Sequence, residues 1–282
     1  MKIGYLGPAG TFSWKAAEIF CRIAQVNTKL IPFETFEKGM AMLEQGEVDR
    51  AVFPIETSGG WMTKVLGLIE EVPHVEVETG TELLTQFHLL VQRGTEKQEI
   101  NTLCSKAEAL SQCSKYIRQM GGVQCVSVGS TAEAAKLADV SIGVAAIGPL
   151  WMTDNYFSSN LTSLEKIKDG MTRFLVLKNG KGDCVGQLKS PEQASVVMIL
   201  ANRKGSLMEV LTVISDSNIS IASMDCWPTE DCPEQYHFYL ELKWNRSKED
   251  WMRMISLFNN LSIEGGPILS FKDLGIYPVY RV

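Results

Sequence analysis

The sequence predicts an α/β protein in two parts, a region with largely parallel sheets followed by a smaller β-α-β-β-α-β unit. Three observations carry that reading. Strand-like and helix-like patterns alternate from residue 2 to about residue 177, the order that builds parallel sheets. The composition then turns polar and glycine-rich in "KNGKGDCVGQLKSPE", residues 178–192, as linkers do. Beyond it the segments run strand, helix, strand, strand, helix, strand.

In chain order, "KIGYLG" is a short strand, "GPAGTFS" a turn, and the next segment a helix with Phe12, Ala16, Ile19, Phe20 and Ile23 at helical spacing. A second helix spans about Phe36 to Gln45, with Thr35 as its cap. The strand "RAVFPIE" ends in "TSGGWM", and a helical pattern runs through Val65 and Ile69. "TQFHLLVQ" is a strand that crosses into a second lobe. "NTLC" is another, and the helix after it carries Leu110, Cys113, Ile117 and Met120 on one face. "VQCVSV" leads into "STAEAA", where Ser130 and Glu133 have capping-box spacing, and "IGVAAIG" is a buried strand. Residues 169–177, "DGMTRFLVL", read as a short loop entering an apolar strand, with Thr172 and Arg173 at the junction. The second unit comprises "SVVMILA", "GSLMEVLTVISDSN", "ISIASMDCW", "YHFYLELKW", "KEDWMRMISLFNNL" and a last strand near "PILSFKDLG", the ferredoxin-like order.

Composition narrows the function. With 45% hydrophobic and 21% charged residues, the 282-residue chain is ordinary for a soluble protein. A net charge of −6 argues against nucleic acid as the main partner, which needs clustered cations. "MKIGYLG" passes straight into a strand-like run, so no signal peptide is expected. No segment has the length of a membrane-spanning helix, so no membrane partner is expected. Seven scattered cysteines (Cys21, Cys104, Cys113, Cys125, Cys184, Cys226 and Cys232) fit reduced thiols better than a disulfide framework, and the expected location is cytoplasmic.

Several short stretches carry candidate chemistry. In "GPAGTFS", Thr11 or Ser13 caps a helix whose first N–H groups would suit a carboxylate; an ordinary strand–helix turn explains the same residues. In "PIETSGG", Glu56 is a candidate general acid or hydrogen-bond acceptor, beside Thr57 and Ser58, although a solvated turn reads the same way. Ser105 and Gln112 lie seven residues apart, about two helical turns, which would aim both in one direction; a capping serine and a surface glutamine are the plainer reading. Cys226, Cys232 and His237 form C-x5-C-x4-H, which matches no common zinc pattern, so no metal site is expected. "LGPAG" lacks the dinucleotide fingerprint G-x-G-x-x-G.

Taken together and in order, "YLGPAGTFS", "PIETS", "SKAEALSQC", "STAEAA", "GVAAI" and "TRFLVL" resemble the catalytic domain of the prephenate dehydratases. The segment from Gly205, with "GSLMEVL", Pro228 and the terminal "LGIYP", resembles the ACT regulatory domain that follows in that family. The resemblance implies a two-lobed catalytic domain similar to periplasmic binding proteins over residues 1–180, with lobes of roughly 1–80 plus 160–180 and 81–159. A linker at 181–192 and an ACT domain at 193–282 would follow. It implies a carbon–oxygen lyase without cofactor, which converts prephenate to phenylpyruvate, carbon dioxide and water in phenylalanine biosynthesis. A homodimer or homotetramer with phenylalanine as allosteric effector is implied too. By resemblance, Thr172 assists the leaving hydroxyl, and Glu56, Ser105 and Gln112 orient the substrate. Thr57 is carried over from the family as well, and the further candidate substrate contacts are Thr11, Ser13, Ser58, Lys106, Arg173 and Phe174, the last also read as packing. The implied effector contacts are Gly205, Ser206, Leu207, Met208, Asp225, Cys226, Trp227 and Pro228.

The chain also departs from the family pattern. Glu-Asn-Ser is Glu56-Thr57-Ser58, and a glycine expected three residues after that motif is Trp61. Ser-His-Pro-Gln is Ser105-Lys106-Ala107-Glu108, the Asn two residues before the threonine is Gly170, and Tyr-Gly is Tyr156-Phe157. Lys106 adds a cation, and two aromatics replace glycines near a cleft. In the regulatory motif, Glu-Ser-Arg-Pro is Asp225-Cys226-Trp227-Pro228, so weakened phenylalanine binding or a different effector is expected. Three rival readings stand beside a dehydratase: a prephenate decarboxylase that keeps the hydroxyl, an arogenate-using paralogue, and a non-catalytic amino-acid sensor.

Overall fold

The computed structural model describes every residue except 155, 156, 181–185, 187, 230, 231, 233 and 234. Tyr156, Cys184 and much of the expected linker therefore lie outside the described residues. The first lobe opens with β1 (Lys2–Leu6) and α1 (Phe12–Ile23). Thr11 caps α1, its Oγ1 accepting from the Trp14 N–H at 3.3 Å, and Ala16, Ile19 and Phe20 face the core as their spacing predicts. Next comes β2 (Lys29–Phe33), a strand the sequence reading passes over. It is short and holds Pro32, which is tolerated because β2 is a sheet edge and needs no N–H there. Then follow α2 (Phe36–Glu44), β3 (Arg50–Thr57), β4 (Gly60–Trp61) and α3 (Thr63–Glu71).

A long antiparallel ribbon joins the lobes. β5 (Val75–Gln92) pairs along β9 (Leu161–Asn179) over nearly its whole length. The expected loop at 169–171 is thus strand, and Thr172 and Arg173 sit within β9 rather than at its start. A partner strand supplies backbone hydrogen bonds that a polar, glycine-containing stretch does not advertise in sequence. Between these strands the second lobe builds β6 (Thr102–Ser105), α4 (Ala107–Gln112), α5 (Ser114–Met120), β7 (Gln124–Ser127), α6 (Thr131–Val140) and β8 (Val144–Gly148). The single helix expected after "NTLC" is two, broken at Cys113. The path β2-β1-β3-β9-β5-β8-β6-β7 is parallel within each lobe and antiparallel across the ribbon, so the sheet is mixed rather than largely parallel.

The C-terminal unit follows the expected order: β10 (Gln193–Leu200), α7 (Ser206–Asp216), β11 (Ile221–Pro228), β12 (Tyr236–Lys243), α8 (Lys248–Leu261) and β13 (Ile268–Tyr277). Its antiparallel sheet runs β11-β12-β10-β13. One face packs Val196, Met198, Leu240 and Leu242 under α7 and α8. The other places Val197, Tyr239, Leu274 and Tyr277 in one apolar cluster with Ile55, Leu66 and Ile69 of the first lobe. This unit is therefore docked through its core, not tethered. Its last strand, β14 (Val279–Arg281), pairs in parallel with Gly80–Glu82 of β5, which joins the chain's end to the first sheet.

Candidate active site

A cleft of about 440 Å³ lies between the lobes, within the usual range of ~300–1,000 Å³ for small-molecule sites. One lobe contributes Thr11 and Ser13 at the start of α1, Thr57 and Trp61 around the β3–β4 turn, and Thr172 and Phe174 of β9. The other contributes Phe87, Lys106 and Gln112, with Gly129, Ser130 and Thr131 at the start of α6. Rings meet across the lobes: Phe12 and Phe87 pack edge-on at 5.5 Å, and the Trp151 indole N–H donates to the Gly10 carbonyl at 2.8 Å.

The cleft has features that suit an anion. The helices α1 and α6 both begin at it, and helix N-termini carry unpaired N–H groups and partial positive charge. α1 has no acidic residue in its first turn. In α6, Glu133 folds back to accept the Gly129 N–H at 2.9 Å, and Ser130 accepts the Glu133 N–H at 3.0 Å. From the sequence Ser130 reads as a cap only, and this wall is not foreseen. Its signal was a capped helix directly after a strand, the same arrangement as "GPAGTFS". Lys106 is half-exposed and stands 3.6 Å from the exposed Glu108, a solvent-screened pairing of small strength.

The predicted residues separate sharply. Thr172 reaches the cleft with a hydroxyl that has no hydrogen-bond partner among the described residues, and Gln112, Ser13, Thr57, Lys106 and Phe174 also line it. Thr11 lines it too, but its hydroxyl is engaged with Trp14 and with the Leu6 and Pro8 carbonyls. Thr57 Oγ1 holds its own turn, accepting from the Gly59 N–H at 3.1 Å. Ser105 is fully buried and donates to the Ile147 carbonyl at 2.6 Å, away from the cleft. The helical-spacing argument does not apply to it, because β6 continues through Ser105 and α4 starts at Ala107. Ser58 latches the β3–β4 turn to β9, accepting the Met171 N–H at 2.8 Å. Gly170 permits that latch: a Cβ there would stand 3.0 Å from Ser58 Oγ and 2.9 Å from Thr85 Oγ1.

Arg173 and Glu56 also leave the cleft. Successive strand residues point to opposite faces, so Arg173 turns away from Thr172 and toward the C-terminal unit. Its guanidinium donates to Glu56 at 2.9 Å and to both oxygens of Glu241 at 2.6 and 2.5 Å, with Glu82 at 3.9 Å. Burial works against that charge, but the Glu241 and Glu56 carboxylates outweigh it and hold the guanidinium above its ordinary value.

The regulatory motif divides similarly. Gly205 takes φ +96°, a left-handed conformation suited to glycine, before α7. Ser206 is buried with an Oγ that lacks a partner among the described residues, Leu207 packs on the domain core, and Met208 is exposed. In register, Asp225 lies opposite Tyr239 and Trp227 opposite His237, so both face the first lobe, whereas Cys226 and Pro228 are exposed. Trp227 stacks flat on His237 at 5.2 Å, and His237 Nδ1 lies 2.6 Å from Glu70 Oε2 on α3. Cys226 and His237 thus point to opposite faces. Among the described residues no group of three or more His, Cys, Asp or Glu side chains is placed to hold a metal.

Residues 3–182 match the family model described as prephenate dehydratase. The chain belongs to the prephenate dehydratase family. It is 28% identical over 246 residues to the prephenate dehydratase of Amycolatopsis methanolica, across 86% of this chain and 79% of that one. It is 29% identical over 298 residues to the bifunctional chorismate mutase/prephenate dehydratase of Escherichia coli K12, spanning 100% of this chain and 72% of that one. Among solved structures, the prephenate dehydratase of Arthrobacter aurescens in complex with L-Phe superposes with a TM-score of 0.80 at 21% identity, over 99% of this chain and 90% of that one. GqqA, described as a novel type of quorum quenching acylase, superposes at 0.78 with 17% identity, over 99% and 98% of the two chains. These last two likenesses concern the fold.

Proposed function

We propose that this member of the prephenate dehydratase family carries out the family reaction, decarboxylation of prephenate with loss of its ring hydroxyl to give phenylpyruvate. The observation that supports it most is the Thr172 hydroxyl, without a hydrogen-bond partner among the described residues, in one cleft with the N-termini of α1 and α6. Prephenate is a dianion, and the helix ends and Lys106 suit its carboxylates. The electron pair of the breaking carbon–carboxylate bond moves through the ring and expels the hydroxyl oxygen, which takes up a proton and leaves as water. Thr172 donates a hydrogen bond to that oxygen. A neutral donor suits a site already filled with negative charge. Aromatisation drives the step, so holding and leaving-group assistance are what the protein must supply. Ser105 and Glu56 act at one remove, the first by anchoring β6 to β8 and the second through Arg173.

An amino-acid effector at the C-terminal domain, a homodimer or homotetramer and a cytoplasmic location complete the reading. With Trp227 stacked on His237 where the family has arginine, we expect phenylalanine to bind weakly; calorimetry showing tight binding with inhibition would overturn that expectation.

The test is turnover. Purified protein with prephenate at neutral pH should yield phenylpyruvate, seen by ultraviolet absorbance and mass, with uptake of protons. A non-aromatic product that keeps the hydroxyl would instead identify a decarboxylase. Turnover of arogenate alone, or of neither compound, would reject the proposal in favour of the paralogue or the sensor. The test is needed because one fold hosts several chemistries.

A further inference from the structure

The charged row on the first sheet is completed from the other domain. Register pairs Glu56 with Arg173, Arg173 with Glu82 and Glu82 with Arg281 across neighbouring strands. Onto this row Glu241 of β12 descends and takes Arg173 Nη2 with both carboxylate oxygens. Glu241 is fully buried, and its Oε1 also accepts from the Tyr239 hydroxyl at 2.8 Å. A buried carboxylate persists only where a countercharge and hydrogen bonds replace its lost water. Here the countercharge has a second contact: the Arg173 guanidinium lies over the Trp61 indole, 5.5 Å from the ring centroid. Tyr239 meets the same indole edge-on at 5.2 Å. Trp61 in turn is part of the cleft wall. An acid and a phenol of the C-terminal domain therefore stand directly behind a side chain of the candidate active site.

We infer that Glu241 is a positioning residue for the cleft: by fixing the Arg173 guanidinium over Trp61, it sets where the indole wall stands. Glu241 is not among the described residues that line the cleft. The inference rests on the dehydratase reading and names a residue outside the cleft that tunes substrate binding. Without the Glu241 charge, Glu56 and Glu82 compete for Arg173 and draw the guanidinium along the sheet, off the indole. Thr172 is on the other face of β9, so the chemical step continues while affinity falls.

The test compares wild type with Glu241→Gln, both labelled with 5-fluorotryptophan, the Trp61 fluorine resonance being assigned by its loss in Trp61→Phe. In Glu241→Gln the Trp61 resonance should shift or broaden. KM for prephenate should rise about fivefold or more, as expected for loss of a cation–π contact, with kcat within about twofold. An unmoved resonance with unchanged KM overturns the inference, as does a fall in kcat with KM unchanged. If Glu241→Gln does not fold, the double variant Arg173→Met with Glu241→Met removes both charges and keeps bulk. It should fold and show the same rise in KM, and a wild-type KM in it overturns the inference. Absence of prephenate turnover in wild type defeats the dehydratase reading alone, and the Trp61 resonance then decides the role of Glu241 by itself.

Discussion

Thr172 and Arg173 are neighbours in the chain and stand on opposite faces of one sheet. Thr172 opens onto the cleft, while Arg173 bonds Glu241 of the C-terminal domain. A hydroxyl and a cation placed side by side thus serve two purposes: the first is available for chemistry, and the second joins the domains and backs the cleft wall.

Thr172→Ala should lower prephenate turnover by about 10²–10⁴-fold, the scale of lost leaving-group assistance. The thermal unfolding midpoint should stay near wild type, because the hydroxyl has no partner to lose among the described residues. Thr172→Ser, which keeps the hydroxyl, should retain a measurable part of the rate. Equal turnover in the alanine variant and wild type would remove Thr172 from the mechanism.

Arg173→Ala should act first on stability. It leaves Glu241 buried without its countercharge, a loss of about 3–5 kcal/mol for a broken buried pair. Urea denaturation measures it. Full stability with abolished turnover would mean that Arg173 meets the substrate after all. Lysine should not rescue, since one ammonium cannot bond Glu56 and both oxygens of Glu241 with the same geometry.

Gly170→Asn restores the residue type of the family pattern and should nevertheless destabilise this chain. Its Cβ would press on Ser58 Oγ and Thr85 Oγ1, a crowding of about 1–3 kcal/mol. Ser58→Ala in the same chain should recover part of the loss. No recovery would show that the Ser58–Met171 latch is not what requires the glycine.

Lys272 should contribute stability that grows as the pH rises through the alkaline range. Lys272 of β13 donates to the Ile69 and Val72 carbonyls at the end of α3, and burial pulls its ammonium down to about 8, partly opposed by Glu70. The folded-state value lies below the unfolded one, so from about pH 8 up to the ordinary lysine range the unfolded chain binds more protons. Raising the pH through that window therefore favours the folded state. The change in urea midpoint from pH 7.5 to 9.5 should be more positive in wild type than in Lys272→Met, which keeps the opposing buried thiols Cys104 and Cys113, both pushed up to about 11. Equal slopes in the two proteins would assign the effect elsewhere.

Much of the fold was legible from local pattern. The caps Thr11, Thr35 and Ser130, the helix faces and the βαββαβ order all depend on neighbouring residues, and each stands as expected. The edge strand β2, the ribbon of β5 with β9 and the return of β14 were not legible, because their stability comes from partners far along the chain. The site followed the same division. Thr172 and Gln112 could be named from motif resemblance and Lys106 from a departure from it, whereas Glu56 and Ser105 belong to the same motifs and face elsewhere.

The sequence by itself determined the family, through motifs in a fixed order, and the helix starts that line the cleft, through capping residues next to glycines. Only the tertiary structure decided which face each motif residue serves and what meets it there. Strand alternation and register assign Arg173 to the domain interface, and the buried Glu241, 68 residues further along, makes that assignment binding. No local pattern encodes that pairing, because the free energy of a buried ion pair exists only once both domains have closed over it.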